Sequence, residues 1–395
     1  MGLLCAGRGR RLPETGAGGS MSDLSYITEI LEELIRIPSP SGYTGPVLER
    51  IGQEAAKFGY ACERSRAGSL IITVPGRGAG VLGLVAHADT LGAMVRSIRP
   101  DGTLAIFSVG GFSMQSIEGS YCRILTRGGR TYTGTVETVS PSVHTYDDAR
   151  TLERTERNME VRIDEEVRSR DDVEELGIGP GDFISFDPKF VRTESGFIKS
   201  RHLDDKASVA VLLGLLSFLA GSGKLPEKTL KILISGYEEV GHGCSFLPPE
   251  VEELLAVDMG AVGADLSGDE YRVSICAGDS SGPYDFEMTN RLIRLAQEYG
   301  IDYAVDIFPH YRSDVSAARA AGHDIRGALI GPGVLASHGQ ERTHERALEQ
   351  TFLLLAAFTG VLEPAVSRQF FRRGMRTECA GDPGAGKAGK PHSCG

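Results

Sequence analysis

The chain lacks a CxxC pair, an excess of basic charge, an apolar run long enough to cross a bilayer and any visible internal repeat. Each absence removes a class of answer. Cys5, Cys62, Cys122, Cys244, Cys276, Cys379 and Cys394 are an odd number at scattered positions. That fits thiols in a reducing compartment better than a disulfide framework, so a cytoplasmic location is expected. A net charge of −11 supplies no basic face for phosphate, and nucleic acid is not an expected partner. The longest apolar stretch, Val209 to Ala220, falls short of the roughly 20 residues a spanning helix needs, so it reads as a buried helix and no membrane partner is expected. Near the N-terminus, Arg8, Arg10 and Arg11 follow a very short apolar piece and precede none, the reverse of a signal peptide. Residues 1–21 therefore read as a disordered extension, with Met21 as an alternative start. Residues 366–395, with abundant Gly, Pro, Lys and Ser and no periodicity, read as a disordered tail.

What is present is ordinary for a globular protein of 395 residues, with 41% hydrophobic and 24% charged residues. A helix is predicted from a Ser22 or Asp23 cap through Leu24, Ile27, Ile30, Leu31, Leu34 and Ile35, stopped by Pro38 and Pro40. A second presents Val47, Leu48, Ile51, Ala55 and Phe58 on one face. SLIITV and VLGLVAH read as two strands of a hairpin. Gly78-x-Gly80-x-x-Gly83 lies in the turn between them; it matches a dinucleotide fingerprint but lacks the helix that motif needs. Residues 92–197 alternate short β-type runs with Gly-rich turns and hold one short helix capped by Ser169, which predicts an inserted small β-barrel-like domain. From Ala207 onward helices alternate with strands, including a short helix before LLAVD. The expected fold is α/β: a mixed, mostly parallel sheet flanked by helices in a three-layer sandwich, built from residues 22–91 and 198–365. Ligands in such folds sit beyond the carboxyl ends of the strands.

His, Asp and Glu residues stand at those ends. His87 and Asp89 close LVAHAD; Asp204 and Asp205 precede the apolar helix; Glu238 and Glu239 follow LKILISGY; Asp258 follows LLAV; His338 and His344 come late, with His310 upstream. Imidazole and carboxylate without cysteine suit divalent cations. His87 is a candidate ligand, with Asp89 behind it to orient the ring. One aspartate is enough to cap a helix. Asp204 is therefore free to bridge two ions about 3.5–4 Å apart, while Asp205 supports the loop. Two adjacent buried glutamates need compensation; a cation serves one, and the other can carry a proton between water and leaving group. Spacing does not decide between His338 and His344 as the last ligand. Asp204, one glutamate and Asp258 bring three negative charges against four on two divalent ions, which leaves room for an anionic nucleophile derived from water. Hydrolysis is the expected chemistry.

Together, His87-Ala-Asp89, Leu203-Asp204-Asp205, Glu238-Glu239-Val240-Gly241, Asp258 and His338 resemble, in order, the motifs of the tetrahedral (TET) aminopeptidases, dinuclear metallopeptidases that include glutamyl and deblocking aminopeptidases. The resemblance spans roughly residues 22 to 362 and includes the β-rich insertion after HxD. It implies His87, Asp204, Glu239, Asp258 and a final His as ligands and Glu238 as general base. It also implies two zinc or cobalt ions, short peptide substrates, and an insertion that forms dimers, which often build dodecamers. Distance to the last helix favours His338 over His344. One segment departs from the pattern: Tyr311-Arg312-Ser313-Asp314 stands where the family has Gly-Gly-Thr-Asp. The loop beside the substrate therefore differs, and Arg312 is a candidate contact for a carboxylate.

The nearest alternative is a related dinuclear carboxypeptidase or amidohydrolase, which Asp204-Asp205-Lys206 also suits, although the insertion there typically follows the Glu-Glu pair. Some relatives are called cellulases, yet a glycosidase would normally use two carboxylates without metal. A non-catalytic scaffold would be signalled by loss of Glu238, and Glu238 is present.

Overall fold

The computed structural model describes residues 22–363, with side chains from residue 25 onward. The readings of both termini and of the Ser22 or Asp23 cap lie outside the described residues or side chains. A ten-stranded mixed sheet forms the middle layer. Its main spatial order is Ala61–Arg64, Leu70–Val74, Thr229–Ser235, Val81–His87, Glu253–Val257, Arg326–Val334 and Val273–Asp279. The central pairings from Thr229–Ser235 to Arg326–Val334 are parallel. Leu70–Val74 and Val273–Asp279 flank them antiparallel.

Alternation along each strand feeds two cores. On Val81–His87, Leu82, Leu84 and Ala86 face one apolar cluster and Val85 the other. The first cluster takes in the helices Ser22–Ile35, Gly45–Lys57, Leu203–Ser222, Phe286–Tyr299 and Glu345–Phe358. The second is covered by Cys244, Leu247 and the helix Asp314–Ala320. Sheet and two covers make the three-layer sandwich. Lys206, fully buried, donates to the carbonyls of Leu34 (2.9 Å) and Ile37 (2.8 Å) at the end of the first helix. These are acceptors the helix cannot satisfy internally.

A closed barrel stands on the sandwich, in the order Gly92–Ile98, Leu104–Val109, Met159–Ile163, Thr131–Thr138, Tyr121–Leu125, Phe183–Phe186. Val95, Ile106, Ile124, Val136, Val161 and Ile184 fill it. Closure leaves no unpaired strand edge. The short helix Arg170–Glu175 is capped by Ser169, whose hydroxyl accepts from the Asp172 amide at 3.2 Å.

Three features differ from expectation. Leu70–Val74 and Val81–His87 are not a hairpin, because Thr229–Ser235 lies between them: Leu233 pairs with both Ile71 and Val85. The Gly-rich link runs against that inserted strand. A Cβ on Gly76 would come within 2.3 Å of the Lys228 carbonyl carbon, so glycine there permits a close backbone approach. No helix precedes Glu253–Val257, since residues 250–252 lead straight into the strand. The strands Gly92–Ile98, Val191–Arg192 and Phe197–Ser200 were not expected, and the last two form a small sheet with Glu341–His344. The four cysteines among the described residues are free thiols, and no helix among the described residues is long and apolar enough to cross a membrane.

Candidate active site

His87 is the last residue of its strand and is buried. Its Nδ1 lies 2.9 Å from the Asp89 carbonyl oxygen and 3.6 Å from the Asp89 carboxylate. A carbonyl only accepts, so Nδ1 carries a proton and Nε2 is left facing the cavity. Nε2 is 3.1 Å from Asp204 Oδ1, 3.7 Å from Glu238 Oε2 and 4.0 Å from Asp258 Oδ1. Burial works against a charged ring, but Asp204, Asp89, Glu238 and Asp258 outweigh it and raise the His87 pKa well above 6.5.

The Asp89 carboxylate does more than back His87. Oδ1 accepts from the Glu238 amide at 3.1 Å, and Oδ2 accepts from the Glu239 amide at 3.2 Å and from Ser41 Oγ at 2.5 Å. It thereby clamps the single 3-10 turn Glu238–Val240, which lets two adjacent glutamates reach one space. Burial would raise the Asp89 pKa, but His87, Ser41 and the Glu238 amide lower it.

Asp204 is held between the two histidines. Oδ1 faces His87, while Oδ2 lies 3.4 Å from His338 Nε2 and accepts from Ser337 Oγ at 3.0 Å. Its amide donates to Glu341 Oε2 at 3.1 Å. Asp204 and Asp205 have non-helical backbone angles, which frees both side chains from the helix surface. Asp205 Oδ2 accepts from the His87 amide at 3.2 Å.

His338 sits in a tight turn with φ 63°. Its amide donates to Glu341 Oε1 at 3.2 Å, its Nδ1 meets the Gly111 carbonyl at 2.5 Å, and its Nε2 lies 3.3 Å from Glu239 Oε2. Gly111 follows the barrel strand Leu104–Val109, so the insertion itself orients this ring. His344 is elsewhere. It caps the last helix by accepting from the Arg346 amide at 3.1 Å, and it packs against Phe197 and Tyr271. His310 and Arg312 line the same cleft as His338.

Asp204, Glu238, Glu239, Asp258, Tyr311 and His338 line one cleft of about 1120 Å³. Ligand atoms of His87, Asp204 and Glu239 lie within 4.8 Å of one another, as do those of His87, Asp205 and Asp258. The donor set fits divalent cations. Glu239 Oε1 and Asp205 Oδ1 are buried without a hydrogen-bond partner, which is costly unless something positive completes them. Burial, reinforced by Asp204, pushes Glu239 up to about 8. Burial likewise pushes Asp258 up to about 7 and Glu238 well above 4.5. Burial thus disfavours the charged form of all three, and a cation among them would restore it.

Sequence reasoning had no signal for Ser41, Ser337 or the Gly111 carbonyl as parts of this site. Glu341 joins the Asp204 and His338 loops by accepting from both of their amides.

The sequence model described as M42 glutamyl aminopeptidase matches residues 68–354. A candidate aminopeptidase of Bacillus subtilis (strain 168), YhfE, is 50% identical over 337 residues, covering 85% of this chain and 97% of that protein. The TET1 peptidase of Pyrococcus horikoshii, described as able to assemble into a tetrahedron or a large octahedral shell, superposes with a TM-score of 0.75 at 23% identity, over 84% of this chain and 99% of that one. A TET aminopeptidase from the archaeon Thaumarchaeota archaeon SCGC AB-539-E09 gives a TM-score of 0.77 at 18% identity, over 88% of this chain and all of that one. At these identities the structural likenesses speak for the fold.

Proposed function

The chain belongs to the M42 glutamyl aminopeptidase family and is a hydrolase of peptide bonds, and from that premise we propose that it releases the N-terminal residue of short peptides at a two-cation centre. The observation that carries this reading is the placement of Asp204, with His87 on one carboxylate oxygen and His338 on the other. On this reading His87, Asp204 and Asp258 would hold one ion, and Asp204, Glu239 and His338 the other, with zinc or cobalt the ions that the family resemblance implies. Such ions supply Lewis acidity, which polarises the scissile carbonyl and makes water acidic near neutral pH.

The chain's own groups do the rest. Glu238 has its backbone amide held by Asp89, and it lines the cleft. It accepts a proton from the attacking water as the new C–O bond forms. It then returns that proton to the departing amine as the C–N bond breaks, so atoms and charge balance. Asp89 holds both the His87 segment and the glutamate turn, and serves as a positioning group. Residues 22–91 and 198–365 form the catalytic domain, and residues 92–197 are the dimerisation domain of a homo-oligomer, from dimer to dodecamer. Support comes from the closed barrel and from the assembly described for the Pyrococcus horikoshii protein.

Glu238→Gln keeps the shape of the side chain and removes its basicity. The expected outcome is retention of bound metal with turnover lowered by about 10²–10⁴-fold, measured by metal analysis and release of an N-terminal amino acid. Retained turnover would remove Glu238 as the proton carrier.

A further inference from the structure

We propose that Asp314 is a positioning residue for the reaction: its carboxylate clasps the two ends of the loop that presents Glu238 and Glu239. The loop leaves the sheet at Ser235, the last residue of its strand, and is back beside that residue at Gly243. Asp314 meets both ends. Its Oδ2 accepts from Ser235 Oγ at 2.6 Å, and the Cys244 amide is a second donor to the same carboxylate. A Cβ on Gly243 would stand 2.4 Å from Asp314 Oδ1, 2.8 Å from Ser235 Oγ and 2.9 Å from the Glu238 nitrogen. Those groups crowd one spot, and glycine lets the chain close over it. Nearer the glutamates the loop is closed again. The rings of Tyr237 and His242 stack with centroids 5.1 Å apart. The His242 amide donates to the Tyr237 carbonyl at 3.1 Å, and the Gly241 amide donates to the Glu238 carbonyl at 2.7 Å.

Asp314 is buried, and burying a carboxylate is costly. Its two oxygens let one short side chain hold two donors at once. Its own place is set from behind. Ser313 caps the helix Asp314–Ala320 by accepting from the Val315 amide at 3.2 Å. The Ser313 hydroxyl lies 2.7 Å from that of Tyr284, which donates to Asp279 at 2.8 Å, at the end of the strand Val273–Asp279. The clasp therefore ties the glutamate loop to a capped helix and to the sheet. Asp89 holds the same loop at the amides of Glu238 and Glu239; Asp314 holds it at its base. A general base works only within hydrogen-bond reach of the proton it takes, and a misplacement of about 1 Å costs about 10²-fold in rate. Asp314 is not among the residues that line the cleft, so it acts through the loop and not on the substrate.

The role rests on the peptidase reading, and the experiment tells the two apart. Asp314→Ala removes both contacts. Asp314→Asn keeps both, since its oxygen accepts from the Cys244 amide while its nitrogen donates to Ser235 Oγ. The substrate is the aminoacyl-p-nitroanilide that the wild-type protein cleaves fastest, with protein saturated in metal. Asp314→Ala is expected to lower kcat by about 10²-fold with KM unchanged, and Asp314→Asn to recover most of that loss. In metal-free protein, hydrogen exchange should quicken in Asp314→Ala within residues 235–244 and keep its wild-type rate in the barrel strands. Ser235→Ala removes one contact of the two and should lower kcat by about 10-fold; it decides the matter if Asp314→Ala does not fold. An Asp314→Ala or Ser235→Ala protein that melts earlier but turns over as the wild type does overturns the role, because Asp314 would then only support the fold. An Asp314→Asn protein as slow as Asp314→Ala also overturns it, because the charge and not the clasp would be what the reaction uses. A wild-type protein that releases no N-terminal residue would instead overturn the peptidase reading itself.

Discussion

His338 and His344 are six residues apart, and their environments could hardly differ more. His338 is reached by two carboxylates on Nε2 and by a carbonyl on Nδ1. His344 accepts from a helix-terminal amide and lies in an aromatic pocket. His338→Ala is therefore expected to lose one equivalent of metal per subunit, measured by elemental analysis of the purified protein. His344→Ala should keep its full metal content and lose about 1 kcal/mol of stability, as for an N-cap. The reverse pattern would exchange their roles. At this scale the sequence was legible where the residue type is itself the chemistry: His87, Asp204, Glu238, Glu239 and Asp258 stand at the ends of apolar runs. The groups that aim them were not legible. Ser41 reaches Asp89, Ser337 reaches Asp204, and Gly111 offers His338 a backbone oxygen, all through contacts that leave no local pattern.

Helices and strands were legible by period, while pairing was not. SLIITV and VLGLVAH look like a hairpin because they are close in sequence. Their partner Thr229–Ser235 arrives about 150 residues later and separates them. Only the three-dimensional register reveals this, since both segments are continuous apolar runs, a pattern that marks a buried strand without naming its partner. The helix Leu203–Ser222 shows the converse: its apolar run was legible, and its fit to the first helix was not. At Gly214 a Cβ would stand 2.6 Å from Ile27 Cγ1. Gly214→Ala sets a propensity gain of about 1 kcal/mol against an overpacking cost of about 1–3 kcal/mol. The contact falls on the stem of a β-branched side chain that cannot swing clear, so overpacking wins. The expected result is a lower urea midpoint with an unchanged slope. A raised midpoint would show that the two helices separate freely.

At the scale of the molecule, the site joins segments from both sides of the barrel: His87 and Asp204 are 117 residues apart and meet at 3.1 Å. What the fold brings together without cations is mostly like charge, and that gives stability a pH signature. In the unliganded protein Glu239 is raised from 4.5 to about 8 and Asp258 from 3.8 to about 7, both chiefly by burial. Groups raised in this way bind more protons folded than unfolded. Their stabilising contribution is full below about pH 4 and is lost as pH rises through 7 and 8. Bound cations displace those protons and add stability as RT ln(1 + [L]/Kd), about 4 kcal/mol at a thousandfold excess over Kd. Metal binding therefore releases protons and tightens as pH rises. The melting temperature of metal-loaded protein should exceed that of chelated protein by a margin that widens between pH 6 and pH 8.5, and metal addition near neutral pH should acidify a weakly buffered solution. A margin that narrows with rising pH would mean that the cations bind somewhere other than among these carboxylates.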